Sequence, residues 1–317
     1  MGTKTGIEWT DATWNPIRGC SRVSEGCRHC YAETQALRFS GPGQPYAGLA
    51  VLKNGHASWT GKIEFVEKHL LDPLCWRAPR RIFVNSMSDL FHENVTDEMR
   101  DKIFAVMALS PQHMFQVLTK RPQAALRYRT PEMSHYQPVR IYDEAEALAH
   151  AEISRRDRTW AQWIEGKPIS VAINRDGLHV SMAARPWPLP NVWVGVSVEN
   201  QATADERIPL LLKTPAAVRF ISAEPLLGPI DLRLWVYDGY QDCKHAPGLK
   251  WVICGGESGA GARPMHPEWA RSLCDQCAAA GVPFFMKQGS QANWPSFKNF
   301  DSFPAELRVR QFPTIVI

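Results

Sequence analysis

Residues 191–198 read NVWVGVSV, a run almost without polar side chains between Asn191 and Ser197. β-Branched and aromatic residues dominate it. A strand this apolar on both faces belongs in a sheet covered on both sides, which points to parallel rather than antiparallel pairing. Shortly after, ADERIPLLLKT (204–214) switches to helical spacing. Five further apolar runs repeat the theme: RRIFVNS (80–86), HMFQVLTK (113–120), AVRFISAE (217–224), KWVICGG (250–256) and GVPFFMKQ (281–288). Two more stretches are amphipathic at helical spacing: DEMRDKIFAVMAL (97–109), with Thr96 as N-cap, and HPEWARSLCDQCAAAG (266–281), stopped by Gly281. ATWNPIRG (12–19) supplies a weaker first strand, interrupted by Pro16. Strand–helix alternation with seven candidate strands predicts an α/β fold, a partial or complete (β/α) barrel of parallel strands. An open doubly wound sheet is the alternative.

Two stretches break the alternation. Residues 40–62, SGPGQPYAGLAVLKNGHASWTGK, are rich in glycine and polar residues and read as a long loop. Residues 127–190 read as an insertion between strands three and four of a single domain spanning 1–317. The insertion holds a charged helical pattern, DEAEALAHAEISRRDRTWAQWIEG, and then VAINRDGLHVSM, a hairpin turning at Asp176-Gly177.

Composition is that of an ordinary globular chain, with 44% hydrophobic and 21% charged residues among 317. Lysine and arginine exceed the acids by only four, so contact with nucleic acid is permitted but not demanded by charge. No apolar run approaches the roughly 18 residues of a membrane span, and the first residues lack the apolar core of a signal peptide. A cytoplasmic location is expected. Its eight cysteines would be reduced there, so a dense cysteine cluster is expected to hold metal rather than a disulfide.

That cluster is CSRVSEGCRHC, with Cys20, Cys27 and Cys30 spaced C-x6-C-x2-C among small and glycine residues. Three thiolates leave one coordination position open. The spacing suits a 4Fe-4S cluster with one iron free for a ligand, or a zinc site completed elsewhere; unrelated buried thiols are the third reading. Cys274 and Cys277 could join a second metal site, but both fall in a predicted amphipathic helix, where thiols pack as core. The remaining cysteines are Cys75, Cys243 and Cys254.

The Cys27-Arg28-His29-Cys30 half of the motif, followed by Tyr31, resembles the radical S-adenosylmethionine (SAM) superfamily. Those enzymes carry three cysteines after the first strand of an α/β barrel, usually as C-x3-C-x2-C with an aromatic residue before the third. Here the first gap is six residues, and His29 stands where the aromatic is expected. A closer resemblance is to a phage and prophage three-cysteine-motif family of mostly undefined function. It is carried by IEWTDATWNPIRGCSRVSEGCRHCYAE, VNSMSDLFHE, QVLTKRP, VWVGVSVENQ, RFISAEPLLGPI and CGGESGAGARPMHPEW.

The resemblance implies an enzyme in which Cys20, Cys27 and Cys30 hold a 4Fe-4S cluster. SAM would bind the open iron, and an electron donor such as flavodoxin or ferredoxin would reduce the cluster. Cleavage of SAM then gives a radical that abstracts hydrogen from a substrate. The phage likeness suggests DNA or a nucleotide, with a pyrimidine substituent as the target. Polar residues at predicted strand ends are the candidate contacts. His29, Tyr31, Ser86, Ser88, Asp89, Ser197, Glu199 and Glu224 are assigned to cofactor binding, with Gly255, Gly256 and Glu257 of the Gly-Gly-Glu string. Lys120, Arg121, Arg263 and Lys287 are assigned to substrate, as cations for a carboxylate or phosphate. The basic runs RAPRR (77–81) and SRRDR (154–158) suit phosphate contact or a solvated face equally. A zinc-stabilised nucleic-acid-binding or partner-dependent protein without redox chemistry is the alternative reading.

Overall fold

A computed structural model describes residues 5–130, 137–156, 169–174, 177–182, 186–236, 248–259, 261–294 and 298–314. Its centre is one sheet of seven parallel strands, curled into a half-barrel. The strands are β1 (Ala12–Trp14), β2 (Arg81–Val84), β3 (Met114–Thr119), β4 (Val192–Ser197), β5 (Val218–Ala223), β6 (Trp251–Gly255) and β7 (Phe284–Gln288). They are paired in chain order from β1 to β7. A doubly wound sheet would reverse its strand order at a switch point, and this one does not. The partial barrel of the sequence reading therefore holds in this coarser form.

Six of the seven strands fall inside the apolar runs because each strand faces two cores. Alternate residues divide between them, as a period of two requires. Ile82, Val84, Val192, Val194, Val252 and Met286 face an outer core shared with the helices. Phe83, Trp193, Phe220, Trp251, Ile253 and Phe285 meet on the inner side with Trp9, which enters from the segment before β1. Trp251 sits at the centre of this inner plug, its ring 6.2 Å from Trp9 and 5.7 Å from Trp193. Truncating a buried ring of this kind costs about 3–5 kcal/mol.

Helix α1 (Tyr31–Arg38) packs on the segment 50–59, while α2 (Asp97–Ala108), α3 (Pro122–Arg129), α4 (Gln137–Arg156), α5 (Gln201–Lys213) and α6 (Pro267–Ala280) supply the outer core. Thr96 caps α2 by accepting from the Met99 amide, and Gly281, at φ 65°, ends α6. The α5 helix begins three residues earlier than its apolar pattern, because Asn200 and Thr203 form a reciprocal cap. Between β3 and β4 the chain forms α3, then α4 against α2, and an antiparallel hairpin, Ile169–Asn174 with Gly177–Met182. The hairpin closes at the Asn174–Gly177 pair, and Asp176 lies outside the described residues.

Residues 40–62 are not one loop. Ala50–Lys53 and His56–Trp59 pair as a hairpin around Asn54-Gly55, both with positive φ (50° and 76°). That is the geometry of a two-residue type I′ turn, which an Asn-Gly dipeptide favours. Proline 16 divides the first strand as expected: β1 stops at Trp14, and Ile17–Arg18 turns away to pair with Glu64–Phe65. No helix among the described residues is long and apolar enough to cross a membrane.

Candidate active site

The loop from Cys20 to Cys30 crosses the C-terminal end of the half-barrel and leads into α1. Four strand ends hold it. After β2, His92 is fully buried; its Nδ1 accepts from the Asn94 amide (3.1 Å), so Nε2 carries the proton and donates to Ser21 Oγ (2.9 Å). Burial, with the Arg121 charge adding, holds the His92 pKa below the ordinary histidine value. After β3, Arg121 Nη2 donates to the same Ser21 oxygen (2.7 Å), and Ser21 donates to Glu93 (3.0 Å). After β4, Glu199 accepts from Ser24 (2.9 Å). After β6, Arg263 donates to the Glu25 carbonyl (2.8 Å). Inside the loop, Arg22 forks onto Glu33 of α1, a carboxylate only 2% exposed.

Under the loop lies a cavity of about 220 Å³. Fifteen of the eighteen site residues expected from the sequence line it; Glu199, Gly255 and Arg263 stand behind the wall. Cys20, Cys27 and Cys30 all face it, with His29 and Tyr31. Tyr31 donates to the Ser86 carbonyl (2.8 Å), tying α1 to the end of β2. Ser86 and Ser88 donate to Asn15 (3.1 Å) and to the Ile17 carbonyl (3.0 Å). Gly256 lines the cavity, but its missing side chain serves the protein itself. A Cβ there would stand 2.5 Å from the Ser290 backbone nitrogen.

The charges at the cavity are paired with one another. Asp89, 6% exposed, accepts from Thr119 (2.8 Å), the Lys120 amide (3.1 Å), the Phe91 amide (2.9 Å) and Arg121 (3.1 Å). Lys120 binds Glu199 at 2.6 Å, and Arg207 approaches the same carboxylate at 3.1 Å. Lys287 is paired with Glu224, and Arg263 with Glu257. The residues assigned to cofactor and those assigned to substrate are thus each other's partners. Burial alone would raise the Glu199 pKa, but Lys120 and Arg207 outweigh it and hold the carboxyl below its usual range. Burial of Glu257 is likewise outweighed, there by the hydrogen bond from Arg263.

Cys20, Cys27 and Cys30 are the cavity residues that could hold a metal centre. Burial pushes Cys20 up to about 12, with Asp89 adding and Arg121 opposing, and burial also raises Cys30. Such thiols stay protonated until a metal supplies compensating charge. Arg121 Nη1 lies 3.9 Å from Cys20 Sγ, and Ser24 Oγ lies 4.0 Å from Cys27 Sγ. The Ser24 proton is spent on Glu199, so Arg121 is the donor to sulfur here, and a donor of this kind helps set the properties of a cluster. Among the described residues, no three His, Cys, Asp or Glu side chains converge as a single metal ion requires. A cubane makes a different demand, since each thiolate serves its own iron.

The sequence reading missed the lower wall of the cavity, which is Ile7, Trp9, Phe83, Asn85 and Leu118. It also missed the supports His92, Glu93 and Arg207. Asn85 carried one signal, lying in the same strand-end stretch as Ser86; it is the residue with φ 59°. Cys254 is buried in β6 and Cys277 in α6, as core thiols. Cys243, residues 157–158 of the second basic run and the end of the charged stretch lie outside the described residues.

Fold and site together define an α/β half-barrel protein with a cysteine-rimmed cavity at the C-terminal ends of its strands. The chain belongs to the family DUF5131, described as a protein of unknown function, whose profile matches residues 4–302. No curated protein and no solved structure matches it.

Proposed function

We propose that the protein is a radical SAM enzyme, with Cys20, Cys27 and Cys30 holding a 4Fe-4S cluster at the mouth of the half-barrel. The observation that carries this reading is the meeting of all three cysteines on one cavity with the polar ends of the parallel strands. A bound cluster would supply the electron, drawn from a donor such as flavodoxin or ferredoxin, that cleaves SAM to a hydrogen-abstracting radical. The protein's own part is positioning. His92, Arg121, Glu199 and Arg263 fix the loop that presents the thiols. Ser197 and Ser258 remain as polar contacts on the wall for the cofactor. The aromatic plug below keeps water from the interior of the barrel.

The reading is tested by anaerobic reconstitution with iron and sulfide, followed by dithionite and SAM. Brown protein absorbing near 400 nm and release of 5′-deoxyadenosine are expected. A colourless protein that binds zinc stoichiometrically and leaves SAM intact would replace the reading with the zinc-stabilised alternative.

A further inference from the structure

The hairpin beside the cysteine loop has one covered edge and one open edge. Its turn closes on the Lys53–His56 pair, and at the far end of the ribbon Thr60 donates to the Leu49 carbonyl (2.9 Å). In an antiparallel pair, positions bonded across the ribbon alternate with positions that face outward. Leu49, Val51 and Lys53 therefore turn their main-chain groups inward, and Ala50 and Leu52 turn theirs out. On the opposite strand Ala57 and Trp59 face outward, and that edge is occupied. Arg22 donates to the Ala57 carbonyl (3.1 Å), and the Trp59 amide donates to Glu33 (3.2 Å). No hydrogen bond among the described residues reaches the outward N–H or C=O of Ala50 or Leu52. The ribbon is a sheet of two strands, so no third strand of this chain covers that edge among the described residues.

The open strand carries exposed apolar side chains. Val51 is 44% and Leu52 66% exposed, on opposite faces of the ribbon. An unpaired edge of this kind is a template for another extended chain. Charge selects that chain. Residues 20–62 carry Arg22, Arg28, Arg38, Lys53 and Lys62 against Glu25 and Glu33, so three of the chain's four net positive charges lie here. Glu33 is buried under Arg22, and Glu25 is matched by Arg28 and Arg263. Arg38, Lys53 and Lys62 are exposed and have no carboxylate partner among the described residues. A second copy of the chain would bring like charge to this edge, which disfavours pairing. A polynucleotide would match the charge but not the edge: phosphate oxygens only accept, and the Ala50 and Leu52 carbonyls need donors.

We propose that the open edge of Ala50–Lys53 docks an acidic, extended segment of a partner protein, which adds a third strand to the ribbon. Main-chain hydrogen bonds to Ala50 and Leu52 hold the segment, and its side chains pack on Val51 and Leu52. Its carboxylates meet Lys53, with Arg38 on the helix that packs against the ribbon. The covered edge ties the ribbon to the cysteine loop through Arg22, so the partner is held beside the rim of the cavity. The inference does not depend on which metal the cysteines hold.

The test uses the full chain and a synthetic peptide in which glutamate alternates with valine and threonine. In the free chain the Leu52 amide is expected to exchange its hydrogen faster than its paired neighbour Val51. With peptide bound, exchange at Leu52 should slow, and affinity should fall as salt rises. Leu52→Pro removes the outward N–H but leaves the ladder inside the ribbon intact. It is expected to weaken the peptide about tenfold, with unchanged melting temperature. Lys53→Glu leaves the main chain as it is and should weaken binding and flatten its salt dependence. A Leu52 amide already protected in the free chain would overturn the proposal. So would equal binding of the peptide with lysine in place of glutamate, a Leu52→Pro protein that binds like wild type, or no binding at millimolar peptide. Displacement of the peptide by oligothymidylate, or a dimer in sedimentation that Leu52→Pro splits, would give the edge to nucleic acid or to a second copy instead and overturn it equally.

Discussion

The backbone of Gly26 rests on the Glu199 carboxylate: a Cβ at position 26 would stand 2.3 Å from Oε1. The residue before the second cysteine is therefore seated on the end of β4. Glu199 in turn is fixed by Lys120, Arg207 and Ser24, so it acts as an anvil rather than as a ligand contact.

Gly26→Ala should unseat the loop. Overpacking of this kind costs about 1–3 kcal/mol, and the thiols should lose their spacing. Thermal unfolding and iron bound per chain after reconstitution are the measurements. In combination with Glu199→Ala the effects should fall short of additive, since the clash and the anvil vanish together. A Gly26→Ala protein that melts and binds iron like wild type would show that the seat is dispensable.

Each of Cys20→Ala, Cys27→Ala and Cys30→Ala should abolish iron–sulfur assembly. Cys254→Ala and Cys274→Ala should not, because neither residue lines the cavity. Iron and sulfide analysis of the five proteins decides it; a Cys27→Ala protein with its full iron content refutes the ligand set.

Glu199 also predicts a pH dependence. Its carboxyl ionises below the ordinary 4.5 in the folded chain. A lowered folded pKa contributes stability that is present above the unfolded value and is lost as pH falls through the folded one. Lys120→Met removes one of the charges responsible. The variant should be less stable at neutral pH by about 1–3 kcal/mol, and the difference should close on acidification as Glu199 becomes protonated in both proteins. Denaturant titrations from neutral pH to below 4 would reveal a constant gap if the pairing were irrelevant.

Arg129 is fully buried, stacked between Phe104 (4.8 Å) and Trp187 (4.6 Å), with Nε on the Pro215 carbonyl (2.8 Å). Both Nη atoms lack partners, and burial lowers the guanidinium to about 10 from 12.5. That shift corresponds to about 3 kcal/mol of unfavourable charge burial, which two desolvated cation–π contacts of about 2 kcal/mol each offset. Arg129→Met should therefore leave stability nearly unchanged. A melting temperature lowered by several degrees would mean that the stacked cation stabilises the fold on balance.

The strands were legible because each is apolar on both faces, and that signature survives without knowledge of the neighbours. The hairpin around Asn54-Gly55 was equally legible by its dipeptide, but the surrounding glycines led the stretch to be read as a loop. The α1 helix was hidden for another reason: its buried Glu33 serves Arg22, so its inward face is not a simple apolar stripe. Strand-end polar residues were found by position. Their pairing was not, because Lys120 and Glu199 are 79 residues apart, and Glu224 and Lys287 are 63 apart. A sequence shows charges at strand ends; only the curl of the sheet shows that they neutralise one another. Trp9 was invisible as a site residue for a similar reason: it is one of twelve tryptophans, and nothing in its local sequence sets it apart from those, such as Trp14 and Trp251, that pack as core.

The inner plug joins residues made at very different times. Trp9 packs on Phe83 and Trp251, and Phe285 and Phe312 complete the cluster. On the ribosome, the ring of Trp9 and the three cysteines emerge long before β6 and β7 exist. The floor cannot close until those last strands arrive. The seat of the cysteine loop waits with it, because Arg263, which holds the Glu25 carbonyl, follows β6: rim and floor are finished by the same late segment of the chain.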